Sequence, residues 1–216
     1  MSDTSVLEKV SKHGVIPVIA IENEAAALPL ADALLEGGLP IAEITFRTKA
    51  AAAVMAKLSK ERPEVLLGAG TVLTNENVEA AKNCGATFAV APGLNPSVVK
   101  HAQSVGLPFV PGIATPSDIE GALALGCTTL KFFPAGALGG ASMLKALAGP
   151  YGHTGVRFVP TGGVNTENLA DYLSMKVIAA CGGTWIAKKE DLENGNWAAI
   201  TERCKQACDI VAKVRG

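Results

Sequence analysis

The chain has 216 residues, 49% hydrophobic and 18% charged, with 19 basic against 20 acidic side chains. That length fits one domain of roughly 100–200 residues, and the apolar fraction argues against disorder. A net charge of −1 leaves no electrostatic reason to expect nucleic acid or an anionic membrane as partner.

Gly, Pro or charge interrupts every apolar run well before the roughly 18 residues of a membrane span. Aromatics make up only 5%, whereas 23 glycines and 12 prolines punctuate the chain, which predicts many short elements. The opening Met1-Ser2-Asp3-Thr4-Ser5 carries an acid where a secretory signal carries bases. The five cysteines, at 84, 127, 181, 204 and 208, are odd in number and lack zinc spacing. They fit reduced thiols, so the expected location is the cytoplasm.

In chain order, Ser5-Val6-Leu7-Glu8 has capping-box spacing and predicts a short helix before the first strand. Strands are then predicted at Val15–Ile21, Ile41–Phe46, Leu66–Val72, Phe88–Ala91, Pro108–Ala114, Thr128–Phe133, Arg157–Pro160 and Val177–Cys181. Between them lie Ala-rich stretches of helical spacing, such as Leu28, Ala31, Leu34, Leu35 and then Val54, Met55, Leu58. Asn95-Pro96 and Thr115-Pro116 pair a capping side chain with proline at the first helical position. Gly37-Gly38, Gly85, Gly106 and Gly126 stand where helices should stop. A last helix over 196–214 puts Trp197, Ile200, Cys204, Ala207, Cys208, Val211 and Val214 on one core-facing stripe.

Runs apolar on both faces suit parallel strands covered by helices. Eight strand–helix units predict a single (β/α)8 TIM barrel over residues 1–216, with the N-terminal helix as an extra. The alternative, an open doubly wound sheet, normally has a Gly-rich loop after its first strand; Ile21-Glu22-Asn23-Glu24 stands there instead.

In a barrel the active site lies at the C-terminal ends of the strands, so charges inside apolar runs matter most. The second strand sets Glu43, Thr45 and Arg47 on one face; the sixth sets Lys131 with Thr129 and Phe133. A buried lysine is costly unless paired, neutral or in use. The structural reading is a buried Lys131–Glu43 salt bridge. The catalytic reading makes Lys131 a Schiff-base nucleophile, its free amine favoured by burial and by Arg47, and Glu43 the general acid/base. The same pair in an isomerase or epimerase would move protons without an imine.

Arg47 is suited to a substrate carboxylate, with Thr71 as a second donor. Gly162-Gly163 and Gly182-Gly183 follow the seventh and eighth strands, where barrels often bind phosphate through backbone N–H groups. His13, His101 and His153 fall away from the strands' C-terminal ends, so no metal site is expected. No nucleophile elbow or Walker loop occurs. The predicted ligand is a phosphorylated small molecule with a carboxylate.

Glu43-Ile44-Thr45-Phe46-Arg47-Thr48, Gly68-Ala69-Gly70-Thr71-Val72-Leu73, Ala91-Pro92-Gly93, Pro111-Gly112-Ile113-Ala114-Thr115, Lys131-Phe132-Phe133-Pro134-Ala135, Pro160-Thr161-Gly162-Gly163-Val164 and Gly182-Gly183-Thr184-Trp185 occur in order. Together they resemble the 2-keto-3-deoxy-6-phosphogluconate (KDPG) aldolase family, the class I aldolases of the Entner–Doudoroff pathway, over about Val15 to Trp185. The resemblance implies a homotrimeric barrel and a cofactor-free retro-aldol cleavage giving pyruvate and glyceraldehyde 3-phosphate. Many members also cleave 4-hydroxy-2-oxoglutarate. It implies Lys131 as the imine lysine, Glu43 as acid/base, and Arg47 and Thr71 as carboxylate-binding positions. Pro92 and Phe133 match positions shaping the pyruvate pocket, and Thr161 with the two Gly-Gly segments matches the phosphate end. Thr184 stands where some members carry Ser, a methyl larger, which bears on substrate preference.

Overall fold

The structure, a computed structural model, describes residues 3–216. Helix α1 (Asp3–His13) leads into strand β1 (Val15–Ile19). Then α2 (Ala27–Glu36), β2 (Ile41–Thr45), α3 (Ala51–Glu61), β3 (Leu66–Gly70), α4 (Asn75–Asn83), β4 (Phe88–Val90) and α5 (Pro96–Ser104) follow in alternation. The chain continues through β5 (Phe109–Val110), β6 (Gly112–Ile113), α6 (Pro116–Ala124), β7 (Thr129–Phe132) and α7 (Gly140–Ala148). It ends with β8 (Arg157–Pro160), α8 (Leu169–Leu173), β9 (Cys181–Gly183), α9 (Lys189–Asn194) and α10 (Trp197–Arg215).

This is an α/β fold on a curled parallel sheet. Six strands pair in the order β5-β4-β3-β2-β1-β9 and three in the order β6-β7-β8, every pair parallel. The fifth predicted run is divided between the two groups at Pro111. Proline has no N–H for a ladder, but its carbonyl accepts from Lys131 N–H at 2.8 Å, so the chain passes here from the β4 side to the β7 side. On the far edge, bridges Phe158↔Ile178 and Thr161↔Gly182 tie the β8 side to the segment that forms β9.

The core lies between strands and helices. Ile16, Ile19, Ile41, Ile44, Leu130 and Phe132 of the strands meet Leu30, Leu34, Val54, Met55 and Leu58 of the helices, all essentially without exposure. Each such side chain contributes about 1.5–3 kcal/mol. In α2 the buried face is Ala27, Leu30, Ala31, Ala33 and Leu34, while Leu28 and Leu35 are half-buried at its edges. The α10 stripe packs inward as predicted: Ile200, Cys204 and Ala207 are buried, and Trp197, Cys208, Val211 and Val214 lie against the core. Burial pushes the Cys204 thiol up to about 12, which suits a packing role.

Two local expectations change. The first helix starts at Asp3, ahead of Ser5, whose side chain lies outside the described residues. A capping box forms at Thr115, whose hydroxyl accepts from Asp118 N–H at 3.3 Å while the Asp118 carboxylate accepts from Thr115 N–H at 2.9 Å. The last strand is Cys181–Gly183, not Val177–Cys181. Ile178, Ala179 and Ala180 are buried, but apart from the Ile178 bridge they are irregular chain. Among the described residues no helix is long and apolar enough to cross a membrane.

Candidate active site

Alternation along β2 turns Glu43 and Thr45 to the same face, and both are buried, at 2% and 1% exposure. Their neighbours across β3 are glycines, Glu43↔Gly68 and Thr45↔Gly70. A Cβ on Gly70 would lie 2.3 Å from Glu43 Oε1, so the missing side chain is what makes room for the carboxylate. Gly68 does the same for the Phe88 ring.

Lys131, in the middle of β7, is 5% exposed. Its Nζ donates to Glu43 Oε1 at 3.2 Å and stands 5.7 Å from the centroid of the Phe133 ring. Two strands 88 residues apart in sequence thus bring one amine against one carboxylate in a water-poor interior. An amine in such a place is able to add to a carbonyl, and the carboxylate beside it is placed to carry protons.

Arg47 follows β2 and is exposed. Among the described residues it has no carboxylate within 4.0 Å. Its Nε donates to Thr45 Oγ1 at 3.0 Å, and that hydroxyl donates to the Ile19 carbonyl at 3.0 Å. Thr45 therefore links the guanidinium to β1 through one oxygen. Thr71, directly after β3, has φ 57, the left-handed region that a β-branched residue enters at a cost of order 1–2 kcal/mol. Held strain of this kind collects where a loop must present a group in one orientation.

Pro92 is half-buried and comes so close to β6 that a Cβ on Gly112 would meet its carbonyl at 2.1 Å. Thr161 is 3% exposed; its N–H donates to the Phe132 carbonyl at 3.0 Å and its hydroxyl to Val159 O at 3.4 Å. Phe133, half-buried, stands over Gly162, where a Cβ would lie 3.3 Å from its ring.

The two glycine pairs are not alike. Gly162 and Gly163 form a turn with φ 88 and 81. Their carbonyls accept from Gly136 N–H and Asn168 Nδ2 at 2.8 and 2.9 Å, and their own N–H groups hold no bond among the described residues. Gly182 and Gly183 instead lie inside β9, paired with Ile16 and Pro17 of β1. Their missing side chains leave room for Thr161 and for the Trp185 ring, which Cβ atoms would meet at 2.3 and 1.7 Å. The second pair thus lies in the displaced last strand rather than in a loop after it, and exposed Thr184 begins the loop beyond.

The histidines stand apart from Lys131. His101 pairs with Glu79 at 2.8 Å on the surface, His13 ends α1, and His153 is in the 3-10 turn Gly149–Thr154. Sequence reasoning missed the Thr45 link, the Gly70 vacancy and the strained Thr71 backbone. The recurrence of glycine at alternate positions of Leu66-Leu67-Gly68-Ala69-Gly70 was the one available signal for the second of these.

Parallel strands with an interior lysine–carboxylate pair define an α/β protein equipped for carbonyl–amine chemistry. The family model for KDPG and KHG aldolase matches residues 6–203. The chain is 46% identical over 206 residues to the 2-dehydro-3-deoxy-phosphogluconate aldolase of Haemophilus influenzae, covering 95% of this chain and 96% of that one. It is 45% identical to the enzyme of the same name from Treponema pallidum, with 96% and 98% covered. The crystal structure of KDPG aldolase from Legionella pneumophila, with pyruvate captured as a covalent carbinolamine, superposes with a TM-score of 0.89 at 39% identity, over 96% of this chain and 98% of that one. The chain belongs to the KDPG and KHG aldolase family.

Proposed function

We propose that the protein is a class I, Schiff-base aldolase that reversibly cleaves 2-keto-3-deoxy-6-phosphogluconate to pyruvate and glyceraldehyde 3-phosphate. The same site would accept 4-hydroxy-2-oxoglutarate, giving pyruvate and glyoxylate. The observation that carries this reading is the buried Lys131 Nζ, 3.2 Å from Glu43 Oε1; membership of the family supports it.

In this mechanism the free amine of Lys131 adds to C2 of the keto acid while Arg47 and Thr71 hold its carboxylate. The carbinolamine loses water to a protonated imine. A carbinolamine with pyruvate is the species captured in the Legionella enzyme. Glu43 takes the proton of the C4 hydroxyl, the C3–C4 bond breaks, and its electron pair flows into the iminium to give an enamine. Glyceraldehyde 3-phosphate departs. The enamine takes a proton at C3, and water releases pyruvate and restores the amine. The cationic imine exists only on the enzyme, so the carboxylate beside it stabilises the reacting state more than the free keto acid.

Pro92 and Phe133 wall the pyruvate pocket, with Thr161 at the polar end. The unbonded N–H groups of Gly162 and Gly163 suit a phosphate, with Gly182, Gly183 and the Thr184 hydroxyl completing its binding; the bare Gly182 also lets Thr161 approach. The chemistry needs no cofactor. We read the two strand groups as one closed (β/α)8 barrel forming a single domain over residues 1–216, supported by continuity across Pro111 and by the Thr161↔Gly182 bridge. Homotrimeric assembly, a cytoplasmic location and a place in the Entner–Doudoroff pathway complete the reading, on the family resemblance.

The deciding experiment is borohydride reduction in the presence of pyruvate, followed by peptide mass analysis. A reduced pyruvate adduct is expected on Lys131, and unmodified protein would overturn the imine. Rates of pyruvate release from the six-carbon phosphorylated acid and from 4-hydroxy-2-oxoglutarate then rank the substrates.

A further inference from the structure

At the end of the sheet remote from Lys131, the start of β8 and the C-terminal ends of α1, α8 and α10 border a cavity of about 580 Å³. Lys12, Arg157, Lys176 and Arg215 line it, together with Ser11, Ser174 and apolar side chains, and no Asp or Glu does. The two arginines share one acceptor, the Ile178 carbonyl. Arg157 Nη2 donates to Ser11 Oγ at 2.7 Å and to Ile178 O at 3.3 Å. Arg215 Nη2 donates to the same Ile178 carbonyl at 2.8 Å, and its Nη1 to Ser11 O and Ala179 O at 2.9 and 3.0 Å. Among the described residues none of the four cations has a carboxylate within 4.0 Å.

Carbonyl and hydroxyl oxygens accept from the two arginines but do not balance the charge. The helix C-termini contribute at most a partial negative charge each, against four full positive charges. Burial, with Arg157 alongside, draws the Arg215 guanidinium below its ordinary value, although the Cys181 thiol acts the other way. Like charges gathered in a partly buried place are stable when an anion joins them. Among the described residues Arg157 Nε and Nη1 have no acceptor, and they belong to the planar fork that matches two oxygens of an oxyanion. On its other side Arg157 borders a neighbouring cavity of about 360 Å³, which exposed Glu8 also lines.

We propose that this basic cavity is a second anion site, binding a phosphate group through Arg157, Lys12 and Lys176. Arg157 precedes Thr161 by four residues along the strand direction, about 13 Å at 3.3 Å per residue. A ligand here does not compete with substrate at Lys131, and it ties α1, α8 and α10 to β8.

The test is the melting temperature of the full chain, titrated at fixed ionic strength with inorganic phosphate and, separately, with glycerol 3-phosphate. A saturable rise is expected for the native chain. Because the Gly162-Gly163 turn also offers N–H groups, the decisive comparison is with Lys12→Gln/Lys176→Gln. Both lysines are exposed, so this variant keeps the fold, whereas Arg157→Gln removes the bonds to Ser11 and Ile178. The apparent affinity should fall about tenfold or more. Lys176→Glu, which builds in a counter-charge, should melt higher than the native chain without phosphate and gain less from it. A lower half-saturation for glycerol 3-phosphate would assign an organic ester, and the reverse free phosphate. No saturable rise beyond that given by chloride, or the same half-saturation in native and double variant, overturns the proposal.

Discussion

Both ends of the strands hold cations away from bulk water, but they hold them differently. At one end a lysine faces a carboxylate and an aromatic ring; at the other, two arginines face backbone carbonyls. The difference is chemical. An ammonium is able to give up its proton when burial disfavours the charge and then becomes a nucleophile, whereas a guanidinium stays charged and acts as a clamp or an anion ligand. On the proposed readings, one end serves bond making and the other holding.

The sharpest way to break that comparison is to exchange the cations. Lys131→Arg keeps the charge and removes the nucleophile, so aldol cleavage should fall by more than about 10⁴-fold while the melt stays cooperative. Retained pyruvate release would dissolve the contrast. Glu43→Gln keeps the packing against Gly70 but removes the proton carrier. Hydrogen exchange at pyruvate C3, followed by proton NMR, should slow by about 10²-fold or more while borohydride still traps pyruvate on Lys131.

At the other end, Arg215→Ala leaves the Ser11, Ile178 and Ala179 carbonyls short of donors and removes the packing over Gly14. Chemical denaturation should show a loss of about 2–3 kcal/mol. A milder probe is Thr45→Val, which cuts the link from Arg47 to β1. KM for the keto acid should rise about tenfold with kcat little changed, because a positioning contact is lost rather than a reacting group.

The smallest effect belongs to an ion pair outside both ends. The Arg203 guanidinium, 2.7 Å from Asp191, holds that carboxyl below its ordinary value. A folded-state value below the unfolded one stabilises the fold above the ordinary carboxylate range and loses that effect as pH falls through the folded value. Asp191→Asn should therefore lower the melting temperature at neutral pH, and the gap to the native chain should close below about pH 4.

Much of the Lys131–Glu43 arrangement was readable in one dimension. Glu43 and Lys131 interrupt runs that are otherwise apolar, and the two-residue period of a strand sets which face each occupies. The helix ends were readable where side chain and backbone cooperate locally, as at Asn95 and Thr115. The last strand was not, since Val177-Ile178-Ala179-Ala180 is as apolar as a strand, and burial alone does not distinguish a ladder from packed irregular chain. That single displacement moved Gly182 and Gly183 from a loop into β9.

Composition and periodicity by themselves determined an alternating α/β chain with two charges inside its strands. They did so because strand and helix periods are properties of neighbours in sequence. Tertiary structure alone decided that Glu43 meets Lys131, that Gly70 stands empty beside the carboxylate, and that Lys12, Arg157, Lys176 and Arg215 share one cavity. Those are distances between residues far apart along the chain, set by how parallel strands register and how helices close over them, and no local pattern encodes them.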